Sequence, residues 1–150
     1  MATNIFFSTP AVPDALPSRP ESTRLRAVVV DDWPDFLRTT VELLELDGNI
    51  EVVATGNDGQ QAISAVRVYD PDLVVMDVNM PRMNGLAATL SIRDFGSNAK
   101  VMIMSSDDSH ETRAAAFDAG ADAFVPKSAM LQHCRLYLRR LFPSVYSEIQ

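Results

Sequence analysis

Five short runs of apolar residues recur along the chain, and a helix-patterned segment follows each of them. That alternation is the strongest constraint on what the chain can fold into. The runs are Ala27-Val28-Val29-Val30, residues 51–55, Leu73-Val74-Val75-Met76, Val101-Met102-Ile103-Met104 and Ala123-Phe124-Val125. Most are apolar throughout and do not alternate with polar residues, as strands do when helices cover both faces of a parallel sheet. After the first run, Pro34 suits an opening helical turn, and Leu37, Val41 and Leu44 follow at helical spacing up to Gly48. Ala62, Ile63 and Val66 mark a second helix running toward Tyr69 and broken by Pro71. Leu86, Leu90 and Arg93 mark a third, ending near Gly96, and a small-residue helix over 109–119 stops at Gly120. Leu131, Cys134, Leu138 and Leu141 mark the last, before Pro143. Strand and helix alternating five times predict an α/β fold: a parallel five-stranded sheet between two helical layers, joined by right-handed crossovers.

The regular pattern begins at Arg24. Residues 1–23 carry Pro10, Pro13, Pro17 and Pro20 without apolar periodicity, and read as a flexible proline-rich extension. Ile5-Phe6-Phe7 is its one apolar cluster. Residues 24–142 form one domain, and 143–150 a C-terminal tail. The net charge of −7 gives no general attraction to nucleic acid or anionic lipid. A single cysteine, Cys134, excludes an internal disulfide and a cysteine-based zinc site. No apolar stretch approaches the ~18 residues of a membrane span, and the N-terminus lacks a secretory pattern. A cytoplasmic protein is expected.

The residues that close the runs carry the chemistry. The first ends in Asp31-Asp32, the third in Asp77, the fourth in Ser105 and the fifth in Lys127. In a parallel sheet these ends share one edge, the edge where open α/β sheets bind ligands. Three carboxylates, a hydroxyl and an ammonium therefore converge in one crevice. Clustered carboxylates repel one another, so a hard divalent cation is the natural occupant, and an oxygen-only donor set favours Mg2+ over zinc. Asp77 is then free to act as a nucleophile toward phosphorus, with Lys127 neutralising charge and the Ser105 hydroxyl donating to a phosphoryl oxygen.

With these residues in place, the chain resembles the receiver domains of bacterial two-component response regulators, in style those of the NarL/FixJ type. The matching segments are Val-Val-Val-Asp-Asp, Val-Val-Met-Asp-Val-Asn-Met-Pro-Arg-Met-Asn-Gly, Met-Ile-Met-Ser-Ser and Gly-Ala-Asp-Ala-Phe-Val-Pro-Lys, in order over residues 24–141. The resemblance implies a flavodoxin-like (βα)5 three-layer sandwich with strand order 2-1-3-4-5, an order cited for this family of folds. It implies Asp77 as phosphoacceptor and Asp32 as a direct Mg2+ ligand, with Asp31 helping through water. The Asn79 backbone carbonyl completes the protein ligands. Ser105 becomes the switch hydroxyl, Phe124 the switch aromatic, and Asp107 a residue that tunes dephosphorylation. The implied partners are a sensor histidine kinase or histidine phosphotransfer protein, and a downstream protein reading the fourth helix, fifth strand and fifth helix. Homodimerisation on phosphorylation is compatible with the family. Direct nucleic-acid or membrane binding is not expected, nor enzymology beyond self-phosphorylation and self-dephosphorylation. Two positions depart from the family pattern: Ser128 stands where proline is frequent, and Ser106 where alanine is common.

Plainer readings compete. Asp31-Asp32 could be acids favoured at a helix N-terminus, Ser105 a cap, and Phe124 ordinary core. The five methionines Met76, Met80, Met83, Met102 and Met104 read as core filler. His110 and His133 read as exposed, and Arg135, Arg139 and Arg140 as a solvated face. An aspartate-nucleophile phosphatase of the haloacid-dehalogenase type would also place aspartate, hydroxyl and lysine at strand ends. It needs a second acid two residues after the nucleophile, where this chain has Asn79. A third alternative is the receiver half of a helix-turn-helix regulator whose output module is cut away, since residues 143–150 are too few for one.

Overall fold

The computed structural model describes residues 24–146. The proline-rich extension, its Ile5-Phe6-Phe7 cluster and residues 147–150 lie outside the described residues. Five strands, β1 (Leu25–Val30), β2 (Ile50–Gly56), β3 (Leu73–Asp77), β4 (Lys100–Ser105) and β5 (Ala123–Pro126), make one sheet of order β2-β1-β3-β4-β5. All four pairings are parallel. The helices are α1 (Pro34–Leu46), α2 (Gly59–Tyr69), α3 (Gly85–Asp94), α4 (His110–Asp118) and α5 (Met130–Leu141), with a 3-10 turn over Lys127–Ala129. This is the expected flavodoxin-like three-layer fold.

Period-two alternation within each strand sorts side chains into two cores. Val28, Val30, Val74, Met76, Ile103 and Phe124 face α2, α3 and α4, against Ala62, Val66, Ala88, Ile92 and Ala116. Ala27, Val29, Val75, Met102, Met104 and Val125 face α1 and α5, against Leu44, Cys134 and Leu138. A wholly apolar β3 is thus a strand whose two faces are both dry. Burying each such side chain contributes ~1.5–3 kcal/mol, so β1, β3 and β4 anchor the edge on which the polar residues stand. Met76, Met80, Met102 and Met104 are buried, as core filler should be. Strand β2 lies at the sheet margin and is only half buried.

The strands run slightly longer than their apolar runs. Strand β1 starts at Leu25 because Arg26 can enter the ladder: its N–H donates to Asp72 Oδ2 at 2.8 Å and its guanidinium to the Tyr69 carbonyl at 2.5 Å. Side-chain caps start three helices, with Asp58 Oδ1 accepting from Gln61 N, Asn84 Oδ1 from Ala87 N and Ser109 Oγ from Thr112 N. Each such cap stabilises its helix by ~1 kcal/mol. Part of the segment expected as a tail, residues 143–146, is helical. Pro143 opens a further turn, α6 (Pro143–Tyr146), and Tyr146 is buried with its hydroxyl donating to Asp47 Oδ2 at 2.6 Å. A proline ends one helix and, having no N–H to satisfy, starts the next equally well.

Candidate functional site

The sheet register sets the site. Asp77 ends β3 opposite Met104, and Ser105 follows Met104 at the level of Pro126. Lys127 comes next, so Asp77, Ser105 and Lys127 stand in steps along one edge. Asp31 follows the end of β1, whose Val30 pairs with Met76, and its N–H donates to the Gly56 carbonyl at 3.0 Å. One carboxylate oxygen each from Asp31, Asp32 and Asp77 lies within 4.8 Å of the others. The expected convergence of three acids is therefore present.

Burial divides the acids. Asp31 and Asp77 are buried while Asp32 is exposed at the rim. Asp31 Oδ1 accepts the Trp33 N–H at 2.9 Å and so fixes the turn into α1. Its Oδ2 is buried without an aligned hydrogen bond, and the Lys127 ammonium lies 2.9 Å away. The same ammonium lies 3.4 Å from Asp77 Oδ2. Burial pushes the Asp77 carboxyl above its ordinary acidity value, and Lys127 opposes the shift. Three carboxylate oxygens this close suit a small hard cation. No histidine or cysteine joins this group among the described residues.

Two aromatic residues that the sequence reading did not single out complete the setting. The Lys127 ammonium sits 4.5 Å from the Phe36 ring centroid and 5.9 Å from that of Trp33. Both are cation–π range, and Trp33 is 58% exposed, so it forms part of the rim. The signal for Trp33 was available: the only tryptophan of the chain directly follows the acid pair.

The remaining expected residues are placed as follows. Asn79 is exposed at the start of the loop after β3. The Ser105 side chain is buried, with Oγ accepting the Asp107 N–H at 2.9 Å. Both oxygens of Asp107 are engaged in the turn into α4, Oδ1 with Ser109 N and Oδ2 with Thr112 Oγ1. These bonds hold its carboxyl below the usual value. Phe124 is buried, with the Arg113 guanidinium 4.8 Å over its ring. Beside it a cavity of about 210 Å³ opens between α4, β5 and α5, lined by Arg113, Phe117, Tyr137 and Arg140. His110 and His133 are exposed. Of the basic residues on α5, Arg135 pairs with Asp47 at 3.2 Å, while Arg139 and Arg140 are exposed. Around Ser128 the backbone is trans, as it is at every described peptide bond.

Comparison with known proteins agrees with this geometry. The family described as "Response regulator receiver domain" matches residues 27–139. The chain is 37% identical over 110 residues to the nitrate/nitrite response regulator protein NarP of Escherichia coli, covering 73% of this chain and 51% of that protein. It is 37% identical over 111 residues to a protein-glutamate methylesterase/protein-glutamine glutaminase of Nitrosospira multiformis, covering 73% of this chain and 31% of that protein. The chain thus spans about half or less of these relatives. Among solved structures, the signal receiver domain of the response regulator NarL from Mycobacterium tuberculosis superposes with a TM-score of 0.73 at 27% identity, covering 79% of this chain and 97% of that one. No helix among the described residues is long and apolar enough to cross a membrane. With most of its length matched to that family and the acid cluster on the expected edge, the chain belongs to the response regulator receiver domains of two-component systems.

Proposed function

We propose that Asp77 takes a phosphoryl group from a phosphohistidine on a sensor kinase or phosphotransfer protein. The observation that carries this is the meeting of Asp31, Asp32 and Asp77 within 4.8 Å, with Lys127 against two of them. An Asp77 carboxylate oxygen forms the new O–P bond as the P–N bond to the donor histidine breaks, and the electron pair leaves with the imidazole. Asp31, Asp32, Asp77 and the Asn79 carbonyl would hold Mg2+. When bound, that ion offsets the charge on the phosphoryl oxygens and the carboxylates. Lys127 already neutralises Asp77 and can follow the charge onto the acyl phosphate.

Phosphorylation then shifts a two-state equilibrium. The Ser105 hydroxyl accepts from Asp107 N and keeps its own proton for a phosphoryl oxygen. Movement of Ser105 toward the phosphoryl group would pull the loop that carries Asp107 and the start of α4. Arg113 rides on α4 over Phe124, so the displacement reaches the cavity beside α4, β5 and α5, which we assign as the surface read by a downstream protein. Asp107 would set the lifetime of the acyl phosphate, which hydrolyses on the chain itself. No other catalysis, nucleic-acid contact or membrane contact is assigned to these residues, and the reading places the protein in the cytoplasm. The test is incubation with magnesium and a small phosphodonor, read by intact mass. Wild type should gain one phosphoryl mass only with magnesium, and Asp77→Asn none. An equal gain in the variant would refute Asp77 as acceptor.

A further inference from the structure

The β3–α3 connection, residues 78–84, contains Asn79 between two buried residues, Val78 and Met80. At its base, Val78 N–H donates to the Met104 carbonyl at 3.0 Å, and Gly85 N–H to the Val78 carbonyl at 2.8 Å. At its tip, Arg82 has φ 66°, in the left-handed region that a residue with a Cβ enters only at a cost. Met83 N–H reaches back over Arg82 to the Pro81 carbonyl at 2.6 Å, closing a tight three-residue turn.

The segment before α2 grips this tip. Gly59 N–H donates to the Met83 carbonyl at 2.9 Å. The approach is so close that a Cβ on Gly59 would lie 2.6 Å from that oxygen and 2.7 Å from Met83 Cγ. Next to it, Asp58 is only 3% exposed. One of its oxygens accepts Gln61 N–H at 2.8 Å and so caps α2, while the other pairs with Arg82 Nε. The Gln61 and Arg82 bonds hold the Asp58 carboxyl below its ordinary value, which keeps it charged. A single carboxylate therefore fastens both the start of a helix and the crown of the neighbouring loop.

We infer that Asp58 and Arg82 are positioning residues for metal binding: their ion pair, with the Gly59–Met83 backbone bond, holds the β3–α3 loop so that the Asn79 carbonyl stands ready beside Asp77. Neither side chain belongs to the acid trio, and the influence passes along the backbone from Arg82 to Asn79. The inference rests on the magnesium reading above. Ordering the loop before the ion arrives removes an ordering cost from binding, which appears as affinity.

The test is a magnesium titration of the full chain, followed by the fluorescence of Trp33 on the rim beside Lys127. Asp58→Asn keeps a good helix cap but removes the charge, and Arg82→Gly removes the guanidinium while relieving the left-handed backbone. Each should weaken magnesium binding about three- to tenfold, less than the 10–100-fold usual for partners bonded directly to a metal ligand. Because both break one ion pair, the double variant should be no weaker than the weaker single. Tyr146→Phe, a destabilising change remote from the loop, should leave the magnesium midpoint unmoved. Wild-type midpoints in Asp58→Asn and Arg82→Gly, effects that multiply in the double variant, or an equal loss in Tyr146→Phe would each overturn the inference while leaving the proposed function standing. A wild type without a saturable magnesium response would overturn both.

Discussion

Replacing Gly85 by alanine tests how tightly the loop is built onto the nucleophile. Gly85 opens α3 directly against the end of β3, and a Cβ there would lie 2.1 Å from the Asp77 carbonyl oxygen and 3.0 Å from its carbonyl carbon. Ordinary contact begins near 3.4 Å, so helix and strand must part by about 1.3 Å, and the obstacle is backbone that no rotamer change can move. Overpacking of this kind costs ~1–3 kcal/mol. The bond from Gly85 N–H to the Val78 carbonyl would be stretched or lost, for ~1 kcal/mol more. Alanine's better helix propensity returns up to ~1 kcal/mol. The net expectation is a loss of ~1–4 kcal/mol, or roughly 2–16 °C in melting temperature for a chain of this size. Urea unfolding should show a lower midpoint at unchanged m-value. The same displacement moves the Asp77 backbone, so the magnesium-dependent mass gain should slow by about tenfold or more, since small misplacements at a reacting atom are costly. Gly96→Ala is the control. Its Cβ meets nothing within 4 Å, and only its φ of 90° opposes the change. It should cost ~1–2 kcal/mol and leave phosphorylation alone. A Gly85→Ala protein within 0.5 kcal/mol of wild type that phosphorylates at the wild-type rate would refute the reasoning.

Two further outcomes follow from the charges and the C-terminal turn. Because burial raises the Asp77 acidity value, the folded state holds that proton more tightly than the unfolded chain does. The group therefore contributes stability at acid pH that is lost as pH rises through its folded value, and at neutral pH its charge is a cost. Without magnesium, Asp77→Asn should melt at or above the wild-type temperature at pH 7, with the advantage fading as the pH falls toward 4; a lower melting point at pH 7 would contradict this. Tyr146→Phe removes the hydroxyl bonded to Asp47 and should cost ~1–2 kcal/mol in urea unfolding. Arg135 still pairs with Asp47, so the phosphorylation rate should hold, and a slower rate would show that this turn communicates with the acid cluster.

The parts of the structure legible in the sequence are those written in local pattern. Apolar runs ended on Asp31-Asp32, Asp77, Ser105 and Lys127, and a parallel sheet has one edge on which to put them. What was hidden depends on contacts between distant segments. Asp58 and Arg82 are 24 residues apart, and each alone looks like an ordinary turn residue. Arg93, read as one more helical position on α3, donates to the Gly120 and Ala99 carbonyls and to Asp122, tying the loops opposite the acid cluster. Pro143 reads as a stop when seen from α5 and as a start when seen from α6. Phe36 gives no pattern that distinguishes a ring packed under an ammonium from one in plain core.

The division of each strand between two cores has a consequence for how this sequence can change. Along β3, Val74 and Met76 belong to one core and Val75 to the other, and Asp77 takes its aim from the same count. Its orientation is a matter of odd or even. Insertion or deletion of one residue within β3 would exchange the contents of both cores and turn the carboxylate about in the same stroke. An added residue in a connection, such as residues 95–99 between α3 and β4, leaves the parity of every strand intact.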